Sequence, residues 1–498
     1  MAEQVKNILY IMTDQQRYDS LGLAGQSICR TPCLDRLAAR GVNFSNAYSV
    51  CALCTPARAS MLTGLYPHKH KLLINQDHQH PVADEFPDHI RLISNDLKDA
   101  GYNCGYAGKW HCGTTKVPST YGFEGMDVPG YGSHQRNPYI LEYQRRNGLA
   151  PPELLECIPE SARASNKLTG TTGTFSGPPQ ACEPWFTAEY SIDLMRRYAD
   201  AYQTAGKPFM MFTSFWGPHH PCNVPEPYAS MYLPKDVRLW GSFYDDLKSK
   251  PRAQQIFRDS IYPGGKDLDE ATWKKMIAKY WGLCSFVDSQ VGRLVEALEE
   301  LGLADSTAIL FSSDHGDTCG CHGGLWDKGP FMYEDTYHIP LIASVPGLGQ
   351  PGTTCDKFVL NMDLATTALA LAGVPPADGH DGRSLLPLMA DPAADWPDDV
   401  MCEFHGHRFL YTQRMLRWRD YKYVFNAADF DELYDLAGDP SEMNNLIADD
   451  GYRSVAEECR QRLLAWIKRT DDVFDICAAD FLNERAATAG LQPAGRLA

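Results

Sequence analysis

The sequence predicts an α/β protein. A large, mostly parallel central sheet flanked by helices is followed by a smaller C-terminal α+β unit with a short antiparallel sheet. Three observations predict it. Short, nearly continuous apolar runs alternate with helical stretches, the pattern of strands buried on both faces. From Trp273 to Leu301, apolar residues repeat at three- and four-residue spacings, one stripe facing a sheet. Beyond "DPAADWPDDV", a Pro/Asp-rich boundary over residues 391–400, the runs shorten to an antiparallel type.

Each element follows in order. "NILYIMTD" (Asn7–Asp14) is a buried strand. Thr31 is placed to cap a helix that starts at Pro32 and stops at Gly41. A helix over residues 91–100 ends at Gly101 and feeds the strand "YNCGYAG". "PFMMFTSFW" (208–216), "AILFSSD" (308–314) and "IPLIASVPG" (339–347) are further strands, and "MDLATTALALAG" is a helix. Residues 166–185, rich in Gly, Thr and Pro, read as a long surface loop. "VMCEFHG", "QRMLRWR" and "YKYVFN" are short antiparallel strands before a helix over 453–468. The expected domains are therefore 1–395 and 396–498.

Composition excludes some functions. A chain of 498 residues with formal charge −17 argues against a nucleic-acid-binding surface or a polybasic membrane patch. No apolar run approaches a membrane span. Met1–Lys6 leads directly into the first strand without the pattern of a secretory signal, so a cytoplasmic protein is expected. The sixteen cysteines are scattered, and most are expected to be reduced and buried. The tail over 484–498 either crosses to a neighbouring subunit of a homo-oligomer or is free.

Two strands end in acidic-polar clusters, Asp14-Gln15-Gln16 and Asp314-His315-Gly316-Asp317. Parallel sheets bind ligands at the carboxyl ends of their strands, so both clusters belong on one edge. Two carboxylates, an amide oxygen and an imidazole suit a divalent cation. Oxygen donors favour Ca²⁺, Mg²⁺ or Mn²⁺, and the histidine adds weight to Mn²⁺ or Zn²⁺. Aspartates there also serve as plain caps of the next turn. Lys109 and His111 in "GKWHCG", His219 and His220 in "GPHHP", and Lys328 in "LWDKGP" stand in loops after successive strands. Singly these are solvated lysines or loop histidines; together, facing a cation, they outline an oxyanion pocket.

"SVCALCTPARASMLTG" places Cys51 and Cys54 in a Cys-x-x-Cys spacing. Pro56 suits a first helical turn that Gly64 closes, which puts Cys54 at a helix N-terminus with Arg58 one turn on. Such a position lowers a thiol's pKa and fits a nucleophile, a redox thiol or a binding residue. A zinc site wants a second matching pair, and Cys319-Gly320-Cys321 has the wrong spacing.

"CTPARASMLTG" resembles the type I sulfatase signature, Cys-x-Pro-x-Arg followed by Thr-Gly. "NILYIMTDQQRYDSLG", "GYAGKWHCG", "GPHHP", "SSDHGDTCGCHGGLWDKG" and "DGRSLLPLM" are similar to that family's landmarks and follow in its order, over nearly the whole chain. The resemblance implies an alkaline-phosphatase-like sandwich and hydrolysis of a sulfate monoester. It implies that Cys54 becomes formylglycine through a maturation enzyme, with Arg58 holding the hydrated form. Asp14, Gln15, Asp314 and His315 would bind one divalent cation, Ca²⁺ first and Mn²⁺ as the alternative, together with residue 54. Lys109, His111, His219 and Lys328 would surround the sulfate, with His219 and Lys328 facing the leaving oxygen and His111 as a base. Cys51 would be a packing thiol.

Gln15 stands where many relatives carry a second aspartate, and His315 where many carry asparagine. The phosphonate monoester and phosphodiester hydrolases of the superfamily share Cys-x-Pro-x-Arg, while "GKWHCG" and "LWDKG" favour sulfate. A non-catalytic binder of sulfated ligands needs an unmodified Cys54 or a broken metal site, and a thiol-disulfide oxidoreductase needs Cys51. The alcohol is expected to be read by residues 68–80, 166–185 and 403–407. Their His, Asn and Gln content suits a polar, sugar-like group, in a small molecule or a saccharide.

Overall fold

The computed structural model describes residues 5–24, 28–75, 82–132, 135–159, 171–261 and 265–474. The tail over 484–498, residues 76–80 and residues 166–170 lie outside the described residues. Eight strands form the central sheet. Their order is Thr353–Leu360, Val42–Tyr48, Leu341–Ser344, Thr307–Ser313, Asn7–Asp14, Phe209–Pro218, Asn103–Gly108 and Glu124–Gly125. Leu341–Ser344 runs against both its neighbours, and every other pair is parallel.

The two-residue period of a strand sorts its side chains into two layers. Leu9 and Ile11, Phe209 and Met211, and Ile309 and Phe311 share one core with the helices Pro32–Arg40, Glu183–Ala205 and Glu270–Glu300. Ile8, Tyr10 and Met12, with Met210, Phe212, Ala308 and Leu310, turn the other way. They pack under Cys54–Thr63, Ile93–Asp99 and Asp363–Leu371. Among the described residues no helix is long and apolar enough to cross a membrane.

Two local expectations are corrected. Thr31 does not cap the helix after it with its side chain. Asp288 of the long helix instead accepts from the Cys33 and Leu34 N–H groups at 3.1 and 2.8 Å. The stretch 166–185 is not one loop, because Thr171–Phe175 is a strand between Leu154–Pro159 and Asn223–Pro225, and Glu183 already starts a helix. Its glycine marks a close approach: a Cβ on Gly173 would lie 1.8 Å from the Glu156 carbonyl oxygen.

The strands Asp399–Gly406, Leu410–Trp418, Tyr421–Asn426 and Glu432–Asp435 form an antiparallel sheet backed by the helix Arg453–Arg469. Its core is shared. Val50, Cys51, Leu53 and Tyr66 pack with Met401, Phe404, Leu416 and Ile467. Glu403 N–H donates to the Val50 carbonyl at 2.7 Å, and the Tyr66 hydroxyl donates to that of Met401 at 3.1 Å. The segment that leads into Cys54 is thus clamped between the two sheets.

Candidate active site

Strand register brings the candidate residues to one edge. Asp14 stands beside Pro218 and Gly108 beside Ser214, while Asp314 N–H donates to the Thr13 carbonyl at 3.1 Å. Asp14, Lys109, His219 and Asp314 therefore leave the sheet at its carboxyl edge, as expected. Opposite them, Leu53 is extended (φ −151°), Cys54 opens the helix, and Gly64 (φ +69°) closes it with its N–H on the Ser60 carbonyl. Every residue of that helix is buried. Gln15, His111 and Asp327 adopt left-handed backbone (φ 67°, 54° and 72°). This costs a non-glycine residue about 1–3 kcal/mol and persists only where the surroundings impose it.

Asp14, Cys54, Asp314 and His315 offer ligand atoms that all lie within 4.8 Å of one another, and all four are buried. Cys54 Sγ is 3.2 Å from His315 Nε2 and 3.8 Å from Asp14 Oδ1. His315 Nδ1 lies 2.8 Å from the Gly316 carbonyl, an acceptor only, so Nδ1 carries a proton and Nε2 is the nitrogen that faces the cluster. Arg58 bridges the carboxylates, with Nη2 3.0 Å from Asp14 and Nε 2.9 Å from Asp314. Its Nη1 reaches the Lys109 carbonyl and Ser214 Oγ at 3.0 and 2.8 Å.

The field at this cluster calls for positive charge. Burial alone would raise the Asp14 carboxyl, yet Lys109 and Arg58 hold it well below its usual range. Burial works against a charged His315, but Asp314 and Cys54 push its pKa up to about 9. Burial and Asp14 oppose ionisation of the Cys54 thiol, and Lys109, Lys328 and His315 still bring it below its ordinary value. Two carboxylates, residue 54 and an inward-facing imidazole nitrogen whose proton a cation can displace fit one divalent cation.

The basic groups surround this centre. Lys109 Nζ pairs with the Asp14 carboxylate and sits 4.1 Å from the centre of the Tyr131 ring. Tyr131 also meets His111 and His219 edge-on, at 5.3 and 5.8 Å between ring centres. Burial, then Lys109, depresses the pKa of His111, and its buried Nδ1 has no hydrogen-bond partner. His219 Nδ1 lies 2.5 Å from the His220 carbonyl, so its Nε2 accepts from Lys328 Nζ at 2.9 Å. Lys328 also donates to Gln15 Oε1 at 2.9 Å, so the amide oxygen expected on the cation is engaged by a lysine here. Gln15 serves the cluster through its backbone, whose N–H donates to Asp314 Oδ1 at 3.0 Å. At the helix start, Asn75 takes the Thr55 N–H at 3.0 Å and Pro56 has none. Side chains, more than those amides, must therefore receive an anion.

A family model described as "Sulfatase" matches residues 6–374. The chain belongs to the sulfatase family. A second model, for the C-terminal part of N-sulphoglucosamine sulphohydrolase, matches residues 320–469. The chain is 30% identical over 488 residues to the uncharacterized sulfatase YidJ of Escherichia coli K12, covering 94% of this chain and 88% of that protein. It is 26% identical to an N-acetylglucosamine-6-O-sulfatase of Bacteroides thetaiotaomicron, covering 92% and 85%. A solved phosphonate monoester hydrolase from Silicibacter pomeroyi superposes with a TM-score of 0.76 at 24% identity, covering 94% of this chain and 96% of that one, a likeness of fold. As a member of its family, the chain is a sulfuric ester hydrolase.

Within this sulfatase fold some expected residues stand elsewhere. His68, expected among the readers of the alcohol, is buried between the Glu403 carboxylate (2.5 Å from Nδ1) and the Thr470 carbonyl (2.9 Å from Nε2). His70 meets Ser60 Oγ at 3.0 Å. Both are structural. Cys51 and Cys54 are separate thiols, and burial raises the pKa of Cys51, as befits packing. Tyr131 was not foreseen, and Asp317 and Asp327 stood in quoted stretches with no role of their own assigned. Tyr131 lies in the glycine-rich "PGYGS", which carries no periodicity, whereas the two aspartates lie within quoted motifs and their side chains meet Gln15 only in the fold.

Proposed function

We propose that the chain cleaves a sulfate monoester of a saccharide or similar polar alcohol to the alcohol and inorganic sulfate, with formylglycine formed from Cys54. The observation that carries this is the buried Asp14–Cys54–Asp314–His315 cluster facing Lys109, His219 and Lys328. Asp14, Asp314, His315 Nε2 and residue 54 would hold the cation, Ca²⁺ first and Mn²⁺ as the alternative. When bound it supplies the charge that polarises a hydroxyl and the ester oxygens. Formylglycine supplies an aldehyde hydrate, whose second hydroxyl gives the covalent adduct a way out that serine lacks.

The chain's own groups do the rest. Lys109 neutralises sulfate oxygens. Lys328 donates to the leaving oxygen while the neutral His219 supports its ammonium through Nε2, and the neutral His111 accepts a proton. Arg58 holds both carboxylates in place. The name of the Bacteroides relative, a sugar sulfatase, supports a saccharide substrate.

Two measurements test this. Peptide mass spectrometry on protein from a host with the maturation machinery should find the Cys54 peptide about 18 Da lighter. A panel of sulfate monoesters, phosphonate monoesters and phosphodiesters should show fastest turnover on sulfate. An unmodified Cys54 sinks the mechanism. Fastest turnover on a phosphonate or phosphodiester assigns the chain to the second reading, a hydrolase of those esters.

A further inference from the structure

The left-handed turn at Asp327 sets two successive side chains on one side of the chain, and its carboxylate lies 2.8 Å from the Lys328 ammonium. Asp327 and Lys328 are 3% and 2% exposed. Three other segments bring side chains up to the same carboxylate. Gln15 Nε2 donates to it at 3.0 Å, and His220 Nε2 lies 3.3 Å away. His407, between the first two strands of the C-terminal sheet, brings its Nε2 to 3.9 Å. His407 is 7% exposed, and that nitrogen has no hydrogen-bond partner.

An ammonium has three N–H groups. Those of Lys328 go to Asp327, Gln15 Oε1 and His219 Nε2. Lys328 thereby fills the space that a cation held by His219, His220 and Asp327 would need. When a leaving oxygen arrives, one acceptor must yield. The neutral His219 and Gln15 hold it less tightly than Asp327 does, since only the carboxylate adds a full opposite charge, at 2.8 Å in a buried site. Asp327 is the tether that stays. Lys328 otherwise ends a flexible four-carbon stem with no fixed direction.

We propose that Asp327 is a positioning residue that aims Lys328 at the leaving oxygen, and that His407 of the C-terminal sheet acts through it. This rests on the sulfate-ester reading and on the role given there to Lys328. The test uses matured, cation-loaded full-length enzyme and aryl sulfates graded in leaving-group acidity. Lys328→Ala is the reference: its loss in kcat grows as the leaving group becomes poorer.

Asp327→Asn should follow the same trend with KM little changed, losing about 100-fold on the poorest leaving group, the scale of a misplaced group. His407→Ala should follow it more weakly, by several-fold, with cation content unchanged in both. A loss from Asp327→Asn that is uniform across the series marks a merely structural role and overturns the proposal. Should Asp327→Asn fail to fold, His407→Ala decides alone: a graded loss supports the proposal and a uniform or absent one overturns it. A uniform loss in Lys328→Ala removes the role of Lys328 itself, a separate failure that the reference variant identifies.

Discussion

Arg58 has no exposed surface and pairs with Asp14 and Asp314 at 3.0 and 2.9 Å. Removing one partner of a buried ion pair leaves the others uncompensated, at a cost of about 3–5 kcal/mol. Arg58→Ala should therefore lower the melting temperature markedly, and added divalent cation should restore part of the loss. Equal melting of variant and parent in chelator would refute this. Cys54→Ala should abolish sulfate release while leaving melting nearly unchanged, because the side chain is small and the helix around it is packed. Residual release above background in that variant would count against residue 54 as the nucleophile. Cys51→Ala should keep activity, and its loss without loss of stability would revive a redox role. These residues were legible in the sequence because their motifs are local. The meeting of Asp327 and His407 was not, because it depends on a hairpin 80 residues away.

His68, on the short helix Pro67–His70, links two elements. Its nitrogens face the Glu403 carboxylate and the Thr470 carbonyl, both acceptors, so the ring is held doubly protonated. His405 and the Arg414–Asp472 pair complete its surroundings. Burial opposes its charge, but Glu403 raises its pKa above the ordinary value. A raised folded-state value means stability that is full below the unfolded value of about 6.5 and lost as pH rises through the folded one. The melting gap between the parent and His68→Gln should thus be largest near pH 6 and shrink at higher pH; a gap that widens would contradict it. Strands and helices were legible at this scale from their periods of two and 3.6. Thr171–Phe175 was not, because glycine and threonine disguise a strand whose neighbours come close.

Across the whole molecule, the shared core of the two sheets makes the C-terminal unit a structural part of the site. A truncation at residue 395 would strip the cover from Val50, Cys51, Leu53 and Tyr66. It should yield no cooperative unfolding transition and no sulfate release; a cooperatively folded, active fragment would show that the sheet is dispensable. The order of strands and helices was readable, while this interlock was not, since nothing in the linear pattern shows that residues 48–53 lie under residues 400–426. The burial of the helix Cys54–Thr63 has a consequence for timing. With no residue of the signature reachable from solvent, the proposed conversion of Cys54 has to be finished while the chain is still open. Native protein made without the maturation enzyme should stay unconverted when that enzyme is added, and should become a substrate for it only once unfolded. The chemistry of the active centre is in that sense decided before the protein has a structure.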